Sequence, residues 1–231
     1  MSWYNIFINL LIMVFELKGK KAFITGSSSR IGLEIACKLQ KYGCLVAINS
    51  RNKSSLEKAS SQFSYPVTQI LADMSIQTEA SKAIKEFIDC FKSIDILICN
   101  IGDGRSSAPL NESQNDWEKS VALNLLSATN PISSSLDYLA KSSGVITCIS
   151  SICGQKMIFG APLTYSSTKA ALNAYIRNSS VYLAKRNIRI NAVAPGNVYF
   201  EGSVWEEKLR KDPKAIEDML KTNVPMNTFV R

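Results

Sequence analysis

A doubly wound α/β fold, with one parallel sheet covered by helices on both faces, is the architecture the sequence predicts. Three observations predict it. Hydrophobic periodicity switches repeatedly between strand-like and helix-like along the chain. The strand-like runs are apolar on both faces, as strands buried inside a parallel sheet are. Each run ends in small or polar residues, at the strand end where such sheets bind ligands. Right-handed crossovers then give a single domain of three layers. At 231 residues, with no internal repeat or low-complexity tract, the chain suits one domain with a real core.

The elements follow in order. KKAFIT (20–25) is a short apolar run with a β-branched end. After a Gly/Ser turn, RIGLEIACKLQKYG places Ile31, Ile35, Ala36 and Leu39 on one helical face and stops at Gly43. CLVAINS (44–50) is the second strand, followed by a helix near 53–62. VTQILA (67–72), a helix over 76–91 and IDILICN (94–100) continue the alternation. A long helical region over 113–141 is expected to be interrupted at Pro131, which lacks the N–H a helix needs. GVITCIS (144–150) is the fifth strand, 163–186 a helix, and IRINAVA (188–194) the sixth strand. The expected strand order is 3-2-1-4-5-6, with the sixth at an edge.

Composition narrows the chemistry. Hydrophobic residues make up 46% and charged residues 20%, a globular balance. The net charge of +8 comes from scattered Lys and Arg, which suits an anionic ligand such as a phosphorylated cofactor. No nucleic-acid motif accompanies it. The chain has no histidine, which excludes Ser-His-Asp and Cys-His catalysis and His-ligated metal sites. Six cysteines without a CxxC pair read as buried free thiols in a reducing compartment. Residues 1–14 form an apolar extension before a domain spanning 15–231. This extension is broken by Asn5 and Asn9, too short for a membrane span, and without signal-peptide features. Met13 directly precedes VFELKGKKAFITG, so residues 1–12 fit an upstream start, with an amphipathic interface segment as the competing reading. The setting expected is cytoplasmic.

The strand ends outline a nucleotide site. After the first strand, TGSSSRIG (25–32) opens straight into a helix. The backbone N–H groups of Gly26, Ser28, Ser29, Arg30 and Ile31 would cradle a pyrophosphate. After the second strand come Ser50 and Arg51, where an NAD site would normally hold an acidic residue. A guanidinium there suits a 2′-phosphate, so NADP(H) is expected, with NAD(H) the second choice. Asp73 and Met74 follow the third strand and suit the adenine edge. Asn100 and Gly102 follow the fourth and allow close backbone approach. Ser151 follows the fifth. The PGNV turn follows the sixth, with Pro195, Gly196 and Val198 able to press against a flat ring. In TYSSTKAALNAY (164–175), Tyr165 and Lys169 stand four apart on one helical face, beside these strand ends.

Taken together, TGSSSRIG, CNIG, Asn124 in VALNLL, Ser151 in ISSICG, YSSTK and the PG turn resemble the short-chain dehydrogenase/reductase family. The likeness is to its small single-domain branch with a Rossmann fold, in particular to 3-oxoacyl-carrier-protein-reductase-like members. It runs from about Phe15 to the end of the chain. The resemblance implies a catalytic set of Asn124, Ser151, Tyr165 and Lys169, with Tyr165 and Lys169 also touching the cofactor. Tyr165 would be the general acid/base, its phenol lowered from about 10 by the ammonium of Lys169 together with the positive nicotinamide of the oxidised complex. Ser151 would bind the substrate oxygen, with Ser150 as a rival, and Asn124, at a distortion of its helix, would hold a water leading to Lys169. The implied reaction is hydride transfer between the cofactor and a carbonyl or secondary alcohol of a small molecule.

Three departures stand out. Arg30 occupies the place of the second glycine of the turn, Phe200 that of a threonine often facing the nicotinamide, and the chain stops at PMNTFVR. Members usually continue through one more helix and a seventh strand. A complete chain would be expected to form a homo-dimer or tetramer, and these residues alone to express poorly or to assemble differently. The alternatives are a non-catalytic or truncated NADP-binding relative, and a nucleotide-sugar epimerase or dehydratase.

Overall fold

The structure, a computed structural model, describes residues 17–230. The apolar extension expected over 1–14 lies outside the described residues. The strands are β1 (Lys21–Ile24), β2 (Leu45–Ser50), β3 (Thr68–Leu71), β4 (Ile96–Cys99), β5 (Val145–Ile149) and β6 (Arg189–Val193). All pair in parallel, in the order β3-β2-β1-β4-β5-β6. This is the doubly wound order expected from the sequence.

Helices α1 (Arg30–Lys41) and α2 (Lys53–Ser60) cover one face. Helices α3 (Gln77–Phe91), α5 (Ser127–Ser142) and α6 (Leu163–Ala184) cover the other, and α4 (Gln114–Val121) leads into α5. Side chains alternate across the sheet because the strand period is two. Ala22, Ile24, Val46, Ile48, Ile96 and Ile98 therefore pack against Leu33, Ala36 and Leu56. Phe23, Leu97, Cys99, Ile146 and Cys148 pack against Phe87, Ile132, Leu139 and Leu172. Burial on both faces explains why the central strands read as continuous apolar runs. The edge strands depart from that pattern: β3 and β6 each have only one buried residue, Ile70 and Ile190.

Helix α1 ends as expected, with Gly43 at φ +88° and its N–H donated to the Gln40 carbonyl at 2.8 Å. Ile35, Ala36 and Leu39 pack on the sheet, whereas Ile31 turns toward the groove described below. The long helix does not break at Pro131. The irregularity is a π-helical segment, Ala122–Leu126, between α4 and α5, and Pro131 lies inside α5. Pro131 removes one donor, but it sits just after a stretch where the regular ladder is already displaced, so the helix continues.

The cysteines are all free, but only Cys44, Cys99 and Cys148 are buried. Cys37 and Cys153 are half-buried and Cys90, in α3, is exposed. Beyond β6, α7 (Val204–Lys211) and α8 (Pro213–Asn223) form a helical pair over the strand ends. Among the described residues, no helix is long and apolar enough to cross a membrane.

Candidate active site

The Gly/Ser turn between β1 and α1 is fixed by buried polar groups. Ser27 Oγ donates to the Ile24 carbonyl at 2.6 Å, and Asn49 Oδ1 accepts from the Gly26 N–H at 3.1 Å. Asn100 Nδ2 donates to the Gly26 carbonyl at 2.9 Å. Ser29, at the N-cap of α1, makes no side-chain capping bond, and the first turn carries no acidic residue. The helix start thus offers its N–H groups and positive dipole end to a ligand. Arg30 adopts φ +57°, the left-handed region that usually calls for glycine, at a cost of about 1–2 kcal/mol. Its guanidinium stacks 4.8 Å from the centroid of Phe200 and donates to the Gly202 carbonyl at 3.2 Å.

A groove of about 340 Å³ runs along these strand ends. Gly26, Ser28, Ser29, Arg30 and Ile31 line its floor. Arg51, Asp73 and Met74 line one end, and Asn100 and Gly102 the part nearer Tyr165. All ten were expected there. Pro195, Gly196 and Val198 are not in this lining: Pro195 accepts from the Ile152 N–H at 3.1 Å, Gly196 lies beside Ile152, and Val198 bridges Val230. Pro195 and Gly196 sit instead beside Ile152, the residue that follows Ser151. Arg51 pairs with Asp73 at 3.7 Å. Burial works against the Asp73 carboxylate, yet the hydroxyl and N–H of Ser75, together with Arg51, hold it below its ordinary value.

The four expected catalytic residues meet at one end of the groove. Tyr165 and Lys169 occupy successive turns of α6, with Lys169 Nζ 5.9 Å from the phenol ring centroid. A Cβ added at Gly102 would lie 2.9 Å from Lys169 Nζ and 3.0 Å from Asn124 Oδ1, so these two groups converge on that glycine. Gly104 faces the Tyr165 ring in the same way. Asn124 lies in the π segment, the distortion expected for it. Its amide is committed, however: Oδ1 accepts from the Asp103 N–H at 2.9 Å, while Nδ2 donates to the Asp103 carbonyl and to Ser120 Oγ. This buried amide positions Asp103, with both N–H groups used and one lone pair of Oδ1 left.

Ser151 caps a short 3-10 helix (Ile152–Gly154), accepting from the Cys153 N–H at 3.2 Å. Its rival Ser150 donates to Asn173 Oδ1 at 2.6 Å and is occupied.

The electrostatics differ from the expectation. Burial pushes the Tyr165 phenol above its ordinary value; Ser151 acts in the opposite direction, and Cys153 and Asp103 add to the rise. The Lys169 ammonium donates to the Ile149 carbonyl at 2.9 Å and stays 5.9 Å from the phenol ring centroid. Burial also lowers Lys169 itself, from 10.5 to about 8, with only 2% of the residue exposed.

Among the groove-lining residues missed in the sequence are Asn49, Asp103, Arg105 and Phe200 as a stacking partner. Arg105 Nη2 donates to the Gly202 carbonyl at 3.0 Å and to Glu207 Oε1 at 2.8 Å, and its other nitrogen lies 3.4 Å from Asp103. Two guanidiniums, Arg30 and Arg105, thus hold one carbonyl of the segment leading into α7. Asn49 had a visible signal, a polar side chain inside the apolar run CLVAINS. Arg105 had none, since a single arginine in a loop is ordinarily solvated.

Comparison with known proteins agrees with this geometry. Residues 20–212 match the family model described as short chain dehydrogenase. A 3-oxoacyl-(acyl-carrier-protein) reductase FabG of Aquifex aeolicus is 33% identical over 189 residues, covering 80% of this chain and 76% of that protein. A solved NADH-dependent reductase A1-R′ complexed with NAD is 28% identical, with a TM-score of 0.72, covering 80% of this chain and 82% of that one. A short-chain dehydrogenase/reductase of unknown function from Caenorhabditis elegans, solved with cofactor, is 26% identical with a TM-score of 0.83, covering 93% and 84%. With its sheet order, its groove and a family match over most of its length, the chain belongs to the short-chain dehydrogenase family of NAD(P)-dependent oxidoreductases.

Proposed function

We propose that this protein is an NADP-dependent oxidoreductase that interconverts a carbonyl and a secondary alcohol, with Tyr165 as the acid/base. The observation that carries this reading is the convergence of Tyr165, Ser151, Lys169 and Asn124 at one end of a groove lined by an uncapped helix start. The residues present fit a nicotinamide dinucleotide. The α1 N–H groups and Arg30 suit its pyrophosphate, Asp73 and Met74 its adenosine half, and Gly102 leaves room where the reacting end would lie. When bound, that nucleotide supplies or accepts the hydride.

In the reducing direction, the Ser151 hydroxyl donates to the substrate oxygen and holds it beside the phenol. The Tyr165 proton passes to that oxygen as the carbonyl carbon is reduced, and the resulting phenolate is stabilised by the nearby ammonium of Lys169. A phenol raised by burial is protonated at neutral pH, the state from which a donor starts, but is a weaker acid than a free phenol. Asn124 holds Asp103 and the wall around Lys169 in place.

Arg51 supports NADP over NAD. It is exposed and only loosely paired with Asp73, so its guanidinium is available to a 2′-phosphate. NAD is the second reading, since a solved relative is described as an NADH-dependent reductase complexed with NAD. The substrate is a small carbonyl compound or alcohol, and the proposed setting is cytoplasmic, with a homo-oligomeric working form. Turnover over a panel of ketones, sugar derivatives and acyl thioesters, with NADPH and NADH in parallel, tests the proposal. Cofactor binding without turnover on any carbonyl would support a non-catalytic relative instead.

A further inference from the structure

The loop after β3 carries Asp73 and Met74 into the groove wall, and it is held from two sides by buried amides. From β2, Asn49 Nδ2 donates to the Ile70 and Ala72 carbonyls, each at 3.1 Å. From α5, Asn130 Nδ2 donates to the Met74 carbonyl at 3.1 Å and the Ser75 carbonyl at 3.0 Å. Among the described residues, these are the side-chain donors to the carbonyls of that loop. Asn49 is fully buried, Asn130 is 8% exposed, and Met74 between them is fully buried. Asn49 reaches further: its Oδ1 accepts from Gly26, so one side chain ties this loop to the Gly/Ser turn.

A neutral amide at each of these positions is costly unless its donors are used, and an aliphatic side chain would pack as well on a buried face. What the amide adds is two N–H groups on one nitrogen, and in both cases they end on consecutive or alternate carbonyls of one short segment. Removing Asn130 would free the far side of the loop while leaving Asp73 tied to Ser75, Glu79 and Arg51 on the near side.

We propose that Asn49 and Asn130 are positioning residues for the adenosine half of the nucleotide, clamping the loop after β3 so that Asp73 and Met74 stay in the groove wall. This rests on the dinucleotide reading of the groove. The test compares the unsubstituted protein with Asn130→Ala, Asn130→Ser and Ser135→Ala. Ser135 is a matched control, a fully buried serine of α5 whose hydroxyl donates only to its own helix at Ile132, 3.0 Å away. Calorimetry would measure the affinity for adenosine 2′,5′-bisphosphate and for adenosine 5′-diphosphate, well below each variant's unfolding midpoint.

Asn130→Ala should weaken the tighter of the two probes at least about fivefold. Asn130→Ser, with one hydroxyl donor left, should fall between, and Ser135→Ala should leave the affinity unchanged despite lowering the midpoint. If Asn130→Ala does not fold, the serine variant is held to the same direction against the control. Unchanged affinity in the Asn130 variants, or an equal loss in Ser135→Ala, would overturn the clamp alone. If the unsubstituted protein binds neither probe, the dinucleotide reading falls and the clamp with it.

Discussion

Replacing Lys169 by methionine separates what this residue does for the site from what it costs the fold. The ammonium is 2% exposed, and burial lowers it from 10.5 to about 8. Below pH 8 it is protonated both in the folded and in the unfolded chain, and the folded state bears the full cost of the buried charge. Between pH 8 and 10.5 the folded protein has released the proton while the unfolded chain still holds it. Stability therefore rises with pH across that window, the sign for a base whose folded value is depressed. The fall from 10.5 to about 8 corresponds to about 3 kcal/mol in all, of which about 2 kcal/mol should appear between pH 7 and 9.5. Methionine has a similar reach and no proton to lose, so titrating groups away from Lys169 cancel in the difference between the two proteins, leaving Lys169 and the buried thiols Cys99 and Cys148 that interact with it.

The assay is urea unfolding of both proteins, without nucleotide, at steps from pH 7 to 9.5. The unsubstituted protein should gain on Lys169→Met by about 2 kcal/mol over that range, while the variant loses turnover. Turnover of the unsubstituted protein should also fall as pH rises through about 8, as the ammonium is lost. A stability difference that stays flat with pH would refute the depressed value and the buried charge behind it.

Tyr165→Phe removes only the hydroxyl, so turnover should fall roughly 10²–10⁴-fold with NADPH affinity nearly unchanged, read by steady-state kinetics and direct titration. Substantial residual turnover would remove Tyr165 from the proton-transfer role. Arg51→Ala should weaken NADPH about tenfold and barely affect NADH, because one charge-assisted bond to a phosphate is lost; an equal loss for both cofactors would make Arg51 structural. Gly102→Ala puts a methyl 2.9 Å from Lys169 Nζ and 3.0 Å from Asn124 Oδ1, so both must shift. It should depress turnover while the protein stays folded by circular dichroism, and full activity would mean that the two groups need not meet there.

By itself the sequence determined the six strands, their order and the location of the groove. Those features rest on local signals: apolar runs such as ILIC and VITCI, the small residues of TGSSSRIG, and the four-residue spacing of Tyr165 and Lys169. Each is legible because strand period, turn chemistry and helical spacing act within a few residues.

Tertiary structure alone decided the rest. Ser151 was separated from Ser150 only by Asn173, more than twenty residues away, which takes up the Ser150 hydroxyl. The helix runs on through Pro131, and the amide of Asn124 closes on the Asp103 backbone. The amide clamps at Asn49 and Asn130, and the hold of Arg105 on Gly202, join residues far apart in the chain. The phenol of Tyr165 is raised chiefly because packing buries it. Burial and long-range partners set the cost of every polar group, and neither exists until the chain has folded.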